Sequence, residues 1–269
     1  MKRVIAHTRT WSRPRRPAHS VTADDGQHYY VKPRTATNCF AKVLGSRIAA
    51  FCGVASVDTA QVVFDDEFVR KARAECKTQE ERETLTADVH FGSLYPGDPL
   101  TTPIYDLFPV RLADKIRNLP DFSIMRTVDA WVANSVPGHA IFVRQPEKDF
   151  RAHFVGFGQS FSFDEQPYFK SWNREFAPLF SPWSWTIAVN ALDIVRSITR
   201  VDLELMIGDL PSDWCAGACG ATVIDQLLAR QSTLGKLLME MRREESGLPA
   251  RKLVHLETAL APYALSLLA

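Results

Sequence analysis

The chain has 269 residues, 46% apolar and 23% charged, with a net charge of +1. That suffices for one large domain or two small lobes with a real core, and it creates no global field favouring nucleic acid or a membrane surface. No run of about 18 apolar residues exists to span a membrane, no apolar stretch follows the N-terminal charges as in a secretory signal, and the five scattered cysteines fit reduced cytosolic thiols rather than a disulfide scaffold or a zinc site; the expected location is the cytoplasm.

The first part reads as β-rich. Lys2 to Arg9 is a candidate strand, followed by a turn-like run from Trp11 to Pro17. Ser20–Ala23 and Gln27–Lys32 flank Asp24-Asp25-Gly26, a hairpin signal because glycine readily takes the positive φ of a tight turn. From Asn38 to Cys52, residues Phe40, Val43, Leu44, Ile48 and Phe51 recur at helical spacing, and Gly53 is the stop. Val57–Phe64 predicts a strand. Asp65–Glu83 predicts one solvated helix opening at an acidic cap, and Val89–Leu94 a last strand. Three prolines and a glycine between Tyr95 and Pro103 mark a connection.

Beyond it the chain is mainly helical. Phe122, Met125, Val128, Asp129 and Val132 have helical spacing and lead to Asn134, with Pro137-Gly138 as breaker. Ala140–Val143 and Arg151–Val155 alternate as a small hairpin. Helical stripes then cover Trp185–Ile198, Val201–Ile207, Ala221–Arg243 and Pro249–Leu268. This order predicts an α+β protein of two unequal lobes, 1–103 and 104–269. The N-lobe is an antiparallel sheet with one or two helices. The C-lobe is mainly helical with a small β-hairpin.

Particular residues narrow the reading. Asp24-Asp25-Gly26-Gln27-His28-Tyr29-Tyr30-Val31-Lys32 resembles the DG-x-x-YVVK strand of HipA-like bacterial kinase domains. Ser12-Arg13-Pro14 resembles that family's loop before the hairpin. His90 to Pro99 and Ile104 to Pro109 resemble further family blocks. Asp129 to Phe142 is similar to the family's catalytic loop, D-K-W-x-x-N-x-D-x-R-Q-x-x-F. Phe150 to Phe161 is similar to its metal-binding strand and loop, Y-R-A-x-M-I-D-x-G-x-x-F, and Leu210 to Trp214 to its proline–tryptophan helix start. The resemblance implies a two-lobed kinase-like fold, with Lys32 reaching nucleotide phosphates and Ser12, Arg13 and Asn134 as further nucleotide-binding candidates.

Phosphoryl transfer needs a phosphate-binding lysine, often held by a glutamate, a catalytic-loop aspartate, and a second aspartate for the metal. Aligned to the family, these three acids fall on Lys42, Val136 and Gly156. Valine cannot accept a proton and glycine offers no ligand, whereas Mg²⁺ wants carboxylate oxygen. Positioned acid–base groups are worth roughly 10²–10⁴-fold in rate. No acid lies between Lys32 and Val57, so no register of the helix supplies the glutamate. Asp129, Asp149, Asp164, Glu165 and His139 are nearby in sequence and could compensate. No catalytic residue and no metal ligand is therefore expected.

Plainer readings stand beside these. Lys32 can be a strand-end lysine in water, Asn134 a helix C-cap, and His139 and His153 structural histidines. The leading expectation is a pseudokinase with a binding or regulatory role toward an unidentified protein partner, with residual binding of ATP without Mg²⁺. An active, divergent Ser/Thr kinase using ATP and Mg²⁺ is the alternative. The third reading is a nucleic-acid-associated module. Residues 1–34 carry eight basic side chains against Asp24 and Asp25, but the rest of the chain is net acidic, so this reading has least support.

Overall fold

The computed structural model describes residues 1–11, 18–34, 38–76, 78–106, 108–135, 138–163, 184–215 and 220–246. The first turn in it is the Asp24-Asp25-Gly26 hairpin. Gly26 has φ 75°, its N–H donates to the Ala23 carbonyl at 2.9 Å, and the Asp25 carboxylate accepts from the Gln27 N–H at 3.0 Å. It joins β2 (Ala18–Ala23) to β3 (His28–Lys32), paired antiparallel from His19↔Val31 to Thr22↔His28.

β1 (Lys2–Trp11) adds to β2, and β5 (Asp88–Leu94) lies between β3 and β4 (Thr59–Phe64). The expected antiparallel sheet does not stay open. Lys2 and Arg3 pair in parallel with Val62 and Val63, and the five strands close into a barrel of order β1-β2-β3-β5-β4. Closure satisfies strand edges that an open sheet would present to other chains.

Alternation turns Val4, Val21, Ala23, Tyr29, Val31, Val62 and Phe64 into the barrel, where Phe68, Val69, Ala72 and Cys76 pack against them. The last four belong to α2 (Asp66–Glu75) and its C-cap. The single charged helix expected from Asp65 to Glu83 is in fact two. Cys76 is extended, and a Thr78/Glu81 capping box starts α3 (Gln79–Thr84). Each box closes two orphan donors of a helix start, which outweighs continuing the first helix.

α1 (Cys39–Phe51) begins at Asn38, whose side chain accepts from the Ala41 N–H, and ends before Gly53 at φ 79°. Its Phe40, Leu44, Ile48 and Ala49 do not serve the barrel. They join Phe122, Val128, Trp131, Phe142, Phe154, Val195 and Leu227 in a second core. That core is built by α4 (Asp121–Trp131), α5 (Ser184–Ser197), α6 (Arg200–Ile207) and α7 (Gly220–Ser246). The expected hairpin is β7 (Ala140–Arg144) and β8 (Phe150–Phe154), with β6 (Ile104–Tyr105) as a third strand. The fold is thus mixed α+β. No helix among the described residues is long and apolar enough to cross a membrane.

Two histidines are fully buried with the barrel. His90 accepts from the Arg34 N–H at Nδ1 (3.1 Å) and meets the Thr86 carbonyl at Nε2 (2.9 Å), which defines a neutral ring. His19 meets Thr84 Oγ1 at 3.1 Å and lies edge-on to Phe64, with ring centroids 5.9 Å apart. Burial, reinforced by His7 and His90, lowers the His19 pKa from 6.5 to about 3. Below pH 6.5 the unfolded chain takes up a proton that the folded barrel refuses, so stability falls as pH drops from 6.5 toward 3. We expect this one residue to cost about 2 kcal/mol more at pH 5 than at pH 7.5. Urea denaturation of His19→Gln should lack that increment, and an identical pH slope in both proteins would contradict it.

Candidate functional site

The site is assembled around β3, β5, α1 and the loop after β8. Lys32 ends β3, and its cross-strand partner on β5 is Phe91. Directly opposed residues share a face of the sheet, here the face on which Phe91 packs with Cys39 and Val43 of α1 and with Trp214. Lys42 of α1 is buried there, at 7% exposure, with Nζ 5.2 Å from the centre of the Phe91 ring. The two lysines therefore approach the same aromatic residue, one as its strand partner and one over its ring. The thiol of Cys39 is pushed up to about 11 by burial, so it is no nucleophile at neutral pH.

α1 is held in this position from both sides. A Cβ on Gly45 would lie 2.6 Å from Phe157 Cβ, so the Phe157 side chain rests on bare helix backbone. On another face, Arg47 donates to Asp209 Oδ2 at 2.9 Å and to the Met206 carbonyl at 2.6 Å.

Gly156-Phe157-Gly158 follows β8 and runs into a turn of 3-10 helix over Phe157–Gln159. Both glycines are tightly faced. A Cβ on Gly156 would lie 2.6 Å from His139 Cβ and 3.3 Å from its Nδ1. A Cβ on Gly158 would lie 3.2 Å from Lys42 Cε and 3.6 Å from its Nζ. An imidazole thus stands beside Gly156 and an ammonium beside Gly158.

The segment between α4 and β7 is tied to this loop through the backbone. The Phe161 N–H donates to the Val132 carbonyl at 2.7 Å, and the Val155 N–H to the His139 carbonyl at 2.9 Å. α4 stops at Trp131, earlier than the helix expected to lead to Asn134, because Ala133 turns left-handed at φ 55°. Asn134 is 1% exposed. Its amide donates to Asp129 Oδ1 at 2.7 Å, while Oδ2 accepts from the Gly138 N–H at 2.7 Å. Burial pushes the Asp129 carboxyl up to about 8, against these two hydrogen bonds, which favour its charged form. Asp129 serves the polypeptide, and so does the amide of Asn134.

The structure brings Lys32, Lys42, His139, Gly156 and Gly158 to one locality and turns Asn134 inward. Ser12, Arg13, Val136, Asp164 and Glu165 lie outside the described residues. Asp149 is elsewhere, paired with Arg117 at 3.4 Å. The His153 ring is held by the backbone of Ser56. Sequence reasoning overlooked His139 as a neighbour of Gly156; the antiparallel β7–β8 pairing, in which Ala140 faces Phe154, was the available signal.

Asp129→Ala leaves two buried N–H groups without their acceptor. A loss of about 2–4 kcal/mol is expected, read as a fall in melting temperature of about 5–10 °C. Asp129→Asn keeps an acceptor oxygen and should lose roughly half of that. Calorimetric melting of the two variants checks the ranking, and equal, negligible losses would refute it.

No family model and no curated protein sequence matches the chain. Solved structures do. It resembles the Golgi casein kinase with a TM-score of 0.54 at 12% identity, covering 89% of this chain and 72% of that one. The same kinase with Mn/ADP bound gives 0.53 at 12% identity, again covering 89% and 72%. The Helicobacter pylori proinflammatory kinase CtkA gives 0.52 at 11% identity, covering 91% of this chain and 97% of that one. At these identities the likeness shows the fold alone, a kinase-like one.

Proposed function

Starting from a kinase-like fold, we propose that this chain is a pseudokinase of the HipA-like type, a two-lobed domain (1–103 and 104–269) that binds rather than phosphorylates. Its role is regulatory, through a protein partner, and its residual ligand is a nucleotide at Lys32, with Ser12 and Arg13 from the preceding loop.

One observation carries this reading. The positions where the family resemblance expects a metal carboxylate and a lysine-holding glutamate are Gly156 and Lys42, and their surroundings suit those identities. A side chain at Gly156 would meet His139 Cβ at 2.6 Å, and the Lys42 ammonium lies over Phe91 where the glutamate would pair with Lys32. A divalent cation is implied by the fold, and neither Gly156 nor Lys42 offers it a ligand. Hard cations need several oxygen ligands, and among the described residues no group of three His, Cys, Asp or Glu could hold a metal ion. An adjacent ammonium repels a cation and attracts phosphate oxygen.

The test is a thermal-shift titration with ATP in Mg²⁺ and in EDTA, alongside incubation with γ-labelled ATP. The expected result is a shift that persists in EDTA, or no shift, with no label on the chain or on added protein substrates. Stabilisation by ATP that requires Mg²⁺, or incorporation of label, would instead support the active Ser/Thr kinase.

A further inference from the structure

We infer that the Gly156–Gly158 loop takes a polyphosphate chain as a bare anion, held by the ammonium of Lys42 beside Gly158 and the imidazole of His139 beside Gly156. This rests on the pseudokinase reading and extends it to the charge state of the ligand and the two groups that hold it.

The argument begins with a steric exclusion. A Cβ at residue 156 would lie 2.6 Å from the Cβ of His139. Neither atom can rotate away, because a Cβ is fixed by its backbone. The two backbones are in turn pinned by the Val155 N–H to His139 carbonyl bond of 2.9 Å. Residues 139 and 156 therefore cannot both carry side chains without a backbone shift. The chain puts the side chain at 139, where it is exposed. The group beside the loop at Gly156 is thus an imidazole, which can donate an N–H to phosphate whether neutral or charged.

The other flank is an ammonium. Lys42 Nζ lies 3.6 Å from the point a Gly158 Cβ would occupy, and residues 156 and 158 have no side chains to stand between a ligand and the loop backbone. Lys32 adds a second ammonium on the Phe91 face. With Phe157 packed onto Gly45 and no side chain at residues 156 and 158, a loop flanked by two lysines and a histidine matches the oxygens of a di- or triphosphate. Mg²⁺ would lower the ligand's charge and bring a cation toward Lys42.

The test uses the full chain and isothermal titration with ATP, sodium tripolyphosphate and adenosine, each in EDTA and in Mg²⁺. ATP and tripolyphosphate should both bind in EDTA, and Mg²⁺ should weaken each about threefold or more. His139→Ala, a change at an exposed position, should weaken both about three- to tenfold. Lys42→Met should weaken them at least tenfold, and Lys42→Arg should restore most of the affinity if the methionine variant is unstable. Gly156→Asp should lower the melting temperature, and His139→Gly with Gly156→Asp should recover most of the loss.

Adenosine binding as tightly as ATP would overturn the inference. So would ATP binding in EDTA that neither His139→Ala nor Lys42→Met alters, a Gly156→Asp protein that melts like the parent, or no binding of either anion; each leaves the pseudokinase reading intact. ATP binding that appears only with Mg²⁺ would overturn both.

Discussion

Phe157 resting on the bare backbone of Gly45 is the contact on which the rest of the site depends. The Cβ that glycine lacks would come within 2.6 Å of Phe157, so helix and loop meet at a distance no other residue allows. From that contact follow the depth of α1, the direction of Lys42 and the closeness of Gly158 to the lysine chain. α1 is also the element whose two faces serve different clusters. Phe40, Leu44 and Ile48 enter the helical core, while Cys39 and Val43 meet Phe91 of the barrel. Close-packed interiors transmit small changes. A shift of α1 would therefore be felt at both Phe91 and Phe157.

Around this helix the polar groups divide by purpose. Asp129, Asn134 and the Gly138 N–H form a buried knot that sets the turn after α4. Arg47, Met206 and Asp209 form a half-exposed clasp on the other side of α1. Neither supplies chemistry to a ligand. The clasp holds the helix that carries Lys42, and the knot holds Gly138, the residue before His139.

Features resting on neighbouring residues were legible in the sequence. Asp24-Asp25-Gly26 encodes its own hairpin, and Asn38 with Gly53 brackets α1, because turns and caps depend on local backbone geometry. The kinase-like character was legible from short blocks in order. The break between α2 and α3 was available in Thr78 and Glu81 but was obscured by a continuous run of charge. Other features had no local signal. Ala133 takes a left-handed φ that alanine does not favour, forced by the Val132 carbonyl bonding to Phe161 across the loop. The parallel pairing of β1 with β4 joins strands far apart in the chain. The glycine at residue 156 was readable in the sequence, whereas the backbone-fixed Cβ of His139 that faces it emerges only in three dimensions.

Closure of the barrel has a consequence for how the chain reaches this structure. Lys2 and Arg3 meet Val62 and Val63, so the ring shuts only by bringing together segments with two strands and a helix between them. Hairpins form in microseconds, but a long loop must lose its entropy before a distant pairing rewards it. The β2–β3 hairpin and α1 are thus the natural early structures, and Lys2 and Arg3 are among the last residues of the barrel to find their place. Until residue 63 has been made β1 has one edge unpaired, and until residue 94 has been made so does β3; during that interval both edges are open to a wrong partner.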